Sequence, residues 1–353
     1  MAVYTTINDP SAYFQTLLYT GDGSASQAQT NTGNSDLQPD WIWVKKTNDV
    51  RNTSNTDSSR GFNKRMETQT TTAESTTTTD VISAQSNGFT VGNNGSTGNN
   101  GDTYAAWQWK ANGGTTASNT DGSITSTVQA NTTAGFSVVT YTGNGSSGAT
   151  IGHGLGATPK WFFVKSRSTT GSWIHYHIGT GSTPQNDYLN FTTSAKGTTS
   201  AAWNNTAPTT SVASLGSSAE VNGNGTTFVG YFFAEIQGYS KFGSYTGNGN
   251  ADGPFIYTGF KPTWVMIRRT DSTGSWLIWD TKRTPNNVTG TVLYANDAAA
   301  EETFSSYNLD FLSNGFKIRG TDVYTNANGG NYIYMCFASS PFTTSDGVPT
   351  TAR

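Results

Sequence analysis

Three landmarks recur in fixed order along this 353-residue chain, and the recurrence restricts its fold more than any single motif does. Tyr19-Thr20-Gly21-Asp22-Gly23 returns as Tyr141-Thr142-Gly143-Asn144-Gly145 and as Tyr245-Thr246-Gly247-Asn248-Gly249. Pro39-Asp40-Trp41-Ile42-Trp43-Val44-Lys45 returns as Pro159-Lys160-Trp161-Phe162-Phe163-Val164-Lys165 and as Pro262-Thr263-Trp264-Val265-Met266-Ile267-Arg268, beginning 20, 18 and 17 residues after the turn tyrosine. Aromatic segments at 104–109, 228–233 and 332–337 close each copy, beginning 63, 67 and 68 residues after the marker tryptophans Trp41, Trp161 and Trp264. Such self-similarity marks tandem copies of one supersecondary unit. Weaker echoes agree. Ser-Asn-Gly-Phe stands at 86–89 and 313–316, and Trp173 and Trp276 each lie 12 residues beyond a marker tryptophan. Asp57 and Asp280 lie 16 beyond it, each followed three residues later by an arginine, Arg60 or Arg283, and His177 takes the aspartate's place in the middle copy. The spacing predicts a recurring local ion pair.

The local signals are those of strands and turns. Asn-Gly and Asp-Gly pairs readily supply the positive φ of tight turns. The Pro-x-Trp segments continue as mostly apolar runs, as strands covered on both faces do. Helical periodicity is nearly absent, apart from a short candidate in which Asp9 caps and Pro10 takes the first position. Ten Trp, 16 Tyr and 18 Phe can fill several cores although hydrophobic residues make up 33% of the chain, which excludes a disordered tail. The expected architecture is all-β: three tandem antiparallel β-sandwich domains, lectin-like or jelly-roll-like, at 1–113, 114–238 and 239–353.

Charge narrows the function classes. Lys and Arg number 20 against 23 Asp and Glu, for a net charge of −3, and basic residues cluster no more densely than pairs such as Lys45-Lys46 or Arg268-Arg269. Nucleic-acid binding needs a concentrated basic face, so no nucleic-acid partner is expected. No apolar stretch is long enough to span a bilayer, and the start of the chain lacks the basic and apolar regions of a signal peptide. Membrane insertion is therefore not expected, and the chain is read as folding in a reducing cytoplasm. Cys336 has no partner for a disulfide and reads as a buried, inert thiol.

The segments at 136–145, 151–161 and 238–249, together with Asn8-Asp9-Pro10-Ser11-Ala12-Tyr13-Phe14-Gln15-Thr16, resemble a repeat found in structural proteins of marine tailed bacteriophages. The resemblance covers nearly the whole chain. It implies a virion protein with lectin-like β-sandwich modules, placed among tail-fibre or other exposed components and assembled in the host cytoplasm. It transfers no catalytic or binding residue. The coiled-coil or collagen-like shaft of a typical fibre has no counterpart in this sequence.

A hydrolase would need a nucleophile–base pair or two facing carboxylates. The histidines are His153, His175 and His177, and no Gly-x-Ser-x-Gly elbow surrounds a serine. Glycine-rich stretches lack the lysine and following helix of a phosphate loop. No catalytic residue and no cofactor are therefore expected. His175 and His177, at i and i+2 of a strand, would share a face and are the candidate metal ligands, alone or from three chains about a threefold axis. The alternative is that they line the sandwich. Asp22, Asp121 and Asp252 each precede a glycine but lack the alternating acidic ligands of a calcium loop. Trp173, Trp203, Trp276 and Trp279 are the candidates for stacking on a sugar, and each suits a core position equally.

Three functions follow. The first is a tail-fibre or adhesin component with weak, polyvalent binding to a host-surface glycan; the second is a capsid decoration protein; the third, a depolymerase, lacks an acid–base constellation. Expected partners are other virion proteins and further copies of the chain, most simply a trimer from virion symmetry.

Overall fold

The structure, a computed structural model, describes residues 4–350. It is all-β and antiparallel. Each of the three stretches builds a main sheet with the same order of four strands: opening, closing, marker and flanking. The opening strands are Phe14–Thr20, Phe136–Thr142 and Ser240–Thr246. The marker strands are Trp41–Lys46, Pro159–Ser166 and Phe260–Arg269. Flanking strands follow at Ser54–Asp57, Ile174–His177 and Leu277–Asp280. The closing strands Thr103–Trp109, Thr227–Ala234 and Asn331–Pro341 lie between opening and marker strands. In the middle stretch two further strands, Ala117–Asn119 and Ser126–Asn131, extend the sheet past its opening strand.

A smaller sheet covers the outer face of each main sheet. It contains Gln27–Thr30, Val81–Gln85 and Gly88–Val91 in the first stretch, Ala149–Gly152 and Val212–Leu215 in the second, and Phe255–Tyr257, Leu309–Leu312 and Gly315–Ile318 in the third. The Ser-Asn-Gly-Phe echo has its reason here. A Cβ on Gly88 or Gly315 would stand 2.0 Å from the carbonyl oxygen of Gln29 or Ile256 on the neighbouring strand.

The period of two along a strand divides each marker segment between two cores. Ile42 and Val44, Phe162 and Val164, and Val265 and Ile267 face outward into separate sandwich cores. Trp41 and Trp43, Trp161 and Phe163, and Trp264 and Met266 face inward, where one cluster takes residues from all three stretches. Eight of the ten tryptophans lie in that cluster. Rings meet across every boundary: Trp41 with Tyr231 at 4.7 Å, Phe233 with Phe337 at 5.9 Å and Trp109 with Trp264 at 5.9 Å between centroids.

This corrects the expectation of self-contained domains at 1–113, 114–238 and 239–353. Each main sheet does come from one stretch, but its inner face is as apolar as its outer one and has no cover of its own. Exposing three such faces would cost roughly 25 cal/mol per Å² of apolar surface, so the three sheets turn them towards one another.

A shared core makes unfolding a single event. Trp161→Ala is expected to cost about 3–5 kcal/mol and to lower one calorimetric transition of the whole chain; separate transitions, with only one displaced, would show that the stretches fold independently.

Candidate functional site

The boundaries between the stretches are built from equivalent residues, so they form three like seams. At each, two backbone hydrogen bonds cross. Glu74 N–H donates to Arg167 and Gly171 N–H to Thr71, at 2.9 Å each; Lys196 donates to Thr270 and Gly274 to Thr193, also at 2.9 Å. Glu301 donates to Thr47 and Arg51 to Ala298, at 2.8 Å. The acceptors Thr47, Arg167 and Thr270 all lie six residues beyond a marker tryptophan. The first stretch thus binds the second, the second the third and the third the first.

Four residues beyond each marker tryptophan stands a buried cation on the inward face: Lys45, Lys165 and Arg268. The Lys45 ammonium donates to the Asp297 carbonyl of the third stretch at 2.7 Å. Lys165 donates to Thr71 of the first stretch at 3.1 Å and to Gly171 at 2.7 Å. The Arg268 guanidinium donates to the carbonyls of Ser194, in the second stretch, and Gly274. Burial pushes both lysines down to about 8 and Arg268 down to about 10. These residues recur in the sequence as the basic end of each marker segment. Their shared register with the inward tryptophans was the available sign that they are buried.

The expected ion pairs form, and they belong to seams. Arg60 Nε lies 2.5 Å from Asp57, and its other nitrogen reaches Glu74 at 2.9 Å, which also binds Arg167 of the second stretch. Asp57 accepts from the Tyr231 hydroxyl at 2.7 Å. Arg283 pairs likewise with Asp280 at 2.6 Å and Glu301 at 2.9 Å, and Asp280 accepts from Trp107 of the first stretch at 3.2 Å. At the seam between the second and third stretches His177 replaces the aspartate. Its Nε2 lies 3.2 Å from the Tyr334 carbonyl, and its Nδ1 accepts from Gly179 N–H at 2.9 Å.

That bonding corrects the metal reading. Both ring nitrogens of His177 are engaged, and neither His175 nor His177 is exposed, so they cannot face other chains about an external axis. His175 sits among Phe163, Phe191 and Trp276. No metal-binding cluster of three acidic, histidine or cysteine side chains occurs among the described residues. The tryptophan candidates are corrected too: Trp173, Trp203, Trp276 and Trp279 are all buried. Trp173 and Trp276 donate across seams to the carbonyls of Glu67 and Asn190, at 2.8 and 2.9 Å. Trp203 packs edge-on against Phe162, and Trp279 donates to Tyr307. Cys336 is buried, and burial drives its thiol pKa well up.

The seams differ at one end. Residues 17 and 18 beyond each marker tryptophan, Ser58-Ser59, Ile178-Gly179 and Thr281-Lys282, stand at equivalent mouths. The first mouth is filled by the connection to the second stretch. Ala111, Gly113 and Gly114 donate backbone N–H groups to Asp40 at 2.7–2.9 Å, while the Gln129 amide binds Ser58 and Ser59. The second is shut by close packing, for a Cβ on Gly179 would stand 3.0 Å from the Gly243 carbonyl. The third holds two hollows of about 200 and 460 Å³ that share Lys282 and Ser339. The first is walled by the opening strand of the first stretch and the second by Lys261, Asn286 and Phe311. No sequence pattern marks this place: Ser126–Asn131, beside the middle opening strand, brings Gln129 to the first mouth, and the first opening strand has no such neighbour.

All three histidines are buried. Desolvation lowers His153 to about 4, His177 to about 3 and His175 well below its ordinary value. The unfolded chain therefore takes up protons near pH 6.5 that the fold refuses, and stability falls as pH drops from about 6.5 towards 4, by on the order of 3 kcal/mol for His153 alone. Chemical denaturation at intervals between pH 7 and 4 should show this loss, with a shallower slope in His153→Gln; an identical slope in that variant would contradict the assignment.

No curated protein and no solved structure matches the chain. Residues 9–341 match the family described as a domain of unknown function, DUF7483. With that match running from the first cap to the end of the last closing strand, the chain belongs to the DUF7483 family.

Proposed function

We propose that this protein is a non-enzymatic structural component exposed on a bacteriophage particle, of tail-fibre or adhesin type, with weak binding to a host-surface glycan. The observation that carries the reading is the use of buried ionisable groups as fasteners. Asp57, Arg60, Asp280, Arg283, Lys45, Lys165 and Arg268 all serve seams between stretches, and the buried histidines are held neutral. Such an interior favours rigidity over proton transfer. The exterior, in a chain with 12% charged residues, is built largely of Thr, Ser, Asn and Gly, and amides and hydroxyls suit sugar hydroxyls. The phage assignment rests on the sequence resemblance.

The internal closure favours a second placement, as a capsid decoration protein. Three like sheets about one core give a single chain the geometry that a homotrimer would supply, so one copy could sit on a local threefold of a head lattice. Self-association into a trimer is not needed to complete the body.

Antibody labelling of purified particles separates the two placements: label at the tail tip supports adhesion, regular label over the head supports decoration, and unlabelled particles containing none of the protein would sink both. Incubation with host polysaccharide is expected to release no reducing sugar. Sedimentation should give one species near 37.5 kDa, and a species of three times that mass would restore the homotrimer.

A further inference from the structure

The open mouth between the first and third stretches has the composition of a ligand cleft. Its two hollows together fall within the roughly 300–1,000 Å³ common for small-molecule sites. Among the described residues no carboxylate lines either one. Two other hollows at this seam differ: one holds Arg283 with Glu301, and another holds Arg51 and Arg65 with Glu67. In the cleft, the ammonium groups of Lys261 and Lys282 have no hydrogen-bond or ion-pair partner among the described residues, and both side chains are exposed. The marker strand is irregular beside Lys261, where Pro262 interrupts the ladder register.

Polar groups surround these charges. Thr16, on the wall of the smaller hollow, is 5% exposed, with its Oγ1 closed to solvent and without a hydrogen-bond partner among the described residues. Asn34 and Asn286 add exposed amides on the two rims. At the equivalent first seam the place is taken by the chain's own backbone, held by Asp40 and Gln129. Here Thr263 and Lys282 replace Asp40 and Ser59, so the mouth that is left open has also exchanged its anion for a cation.

We infer that this cleft binds an acidic saccharide chain, whose carboxylate or sulfate groups pair with Lys261 and Lys282 while its hydroxyls meet Asn34 and Asn286. Two cations do not match a run of nucleic-acid phosphates, and the amides and hydroxyls between them suit a polyhydroxylated ligand. The inference rests on the adhesin reading for its choice of sugar and moves the contact from the buried tryptophans to this seam. Contact pairs of this kind lie inside the screening length of about 8 Å at physiological salt.

The test is calorimetric titration of the full chain with an oligomannuronate, a sulfated galactan oligosaccharide and a neutral oligoglucan. Binding of either acidic probe, at least tenfold weaker in Lys261→Gln/Lys282→Gln and unchanged in Lys160→Gln, supports the cleft; which probe binds identifies the anion. Asn34→Ala/Asn286→Ala should weaken binding severalfold while leaving the melting temperature unchanged, since both amides are exposed. Silence with both acidic probes, equal affinity for the glucan, or wild-type affinity in the double variant overturns the proposal. Particle labelling keeps the two readings apart: a tail-tip protein that ignores acidic sugars sinks the cleft alone, whereas binding by a protein missing from the particle sinks the adhesin reading and leaves the cleft.

Discussion

The contact on which the rest of this molecule depends is the meeting of three inward sheet faces, each lined with large rings. Trp41, Trp161 and Trp264 stand at one position of the repeat and enter one cluster. Aromatic side chains bury 150–250 Å² each and gain further from offset and edge-to-face pairing. A chain poor in aliphatic residues can therefore hold together if its rings converge. Convergence also explains why the marker strands are apolar on both sides: one face closes the sandwich to which the strand belongs, and the other joins the three sandwiches.

Around that cluster the polar groups follow the same cyclic order. A buried charge is tolerable when its bonds are satisfied, and its pair contributes less to net stability than to uniqueness of arrangement. Lys45, Lys165 and Arg268 each reach backbone carbonyls of the preceding stretch in the cycle. Packing of rings alone would allow the three sheets to slide or rotate; carbonyl acceptors at fixed positions do not. The seam between the second and third stretches reaches the same closure with His177 in place of a carboxylate, so the ion pair is one solution to a geometric demand that an uncharged ring also meets.

Much of the fold was legible in the sequence because repetition converts weak local signals into strong ones. The unbroken apolar run Trp41-Ile42-Trp43-Val44 indicated strands covered on both faces, and the Asp57–Arg60 and Asp280–Arg283 spacings indicated the pairs that form. What covers the second face was not legible, since a buried strand reads alike whether its neighbour belongs to the same sandwich or to another. The same ambiguity misdirected the site. Trp173 and Trp276 follow small polar residues, as exposed loop rings would, yet they bond across seams. Lys282 stands out in the sequence only beside Arg283; Lys261 lies 21 residues before it, and the two meet in one hollow because the flanking strand returns beside the marker strand.

Covalent linkage of the three copies has an evolutionary consequence. In an assembly of identical subunits every substitution is inherited in triplicate, so a change that opens one boundary opens all of them. Here each boundary is encoded separately. One could lose its carboxylate, another could be plugged by a connecting segment, and a third could be left ajar and acquire lysines, while the other two preserved the integrity of the whole. A gene of this form can experiment at one corner without risking collapse.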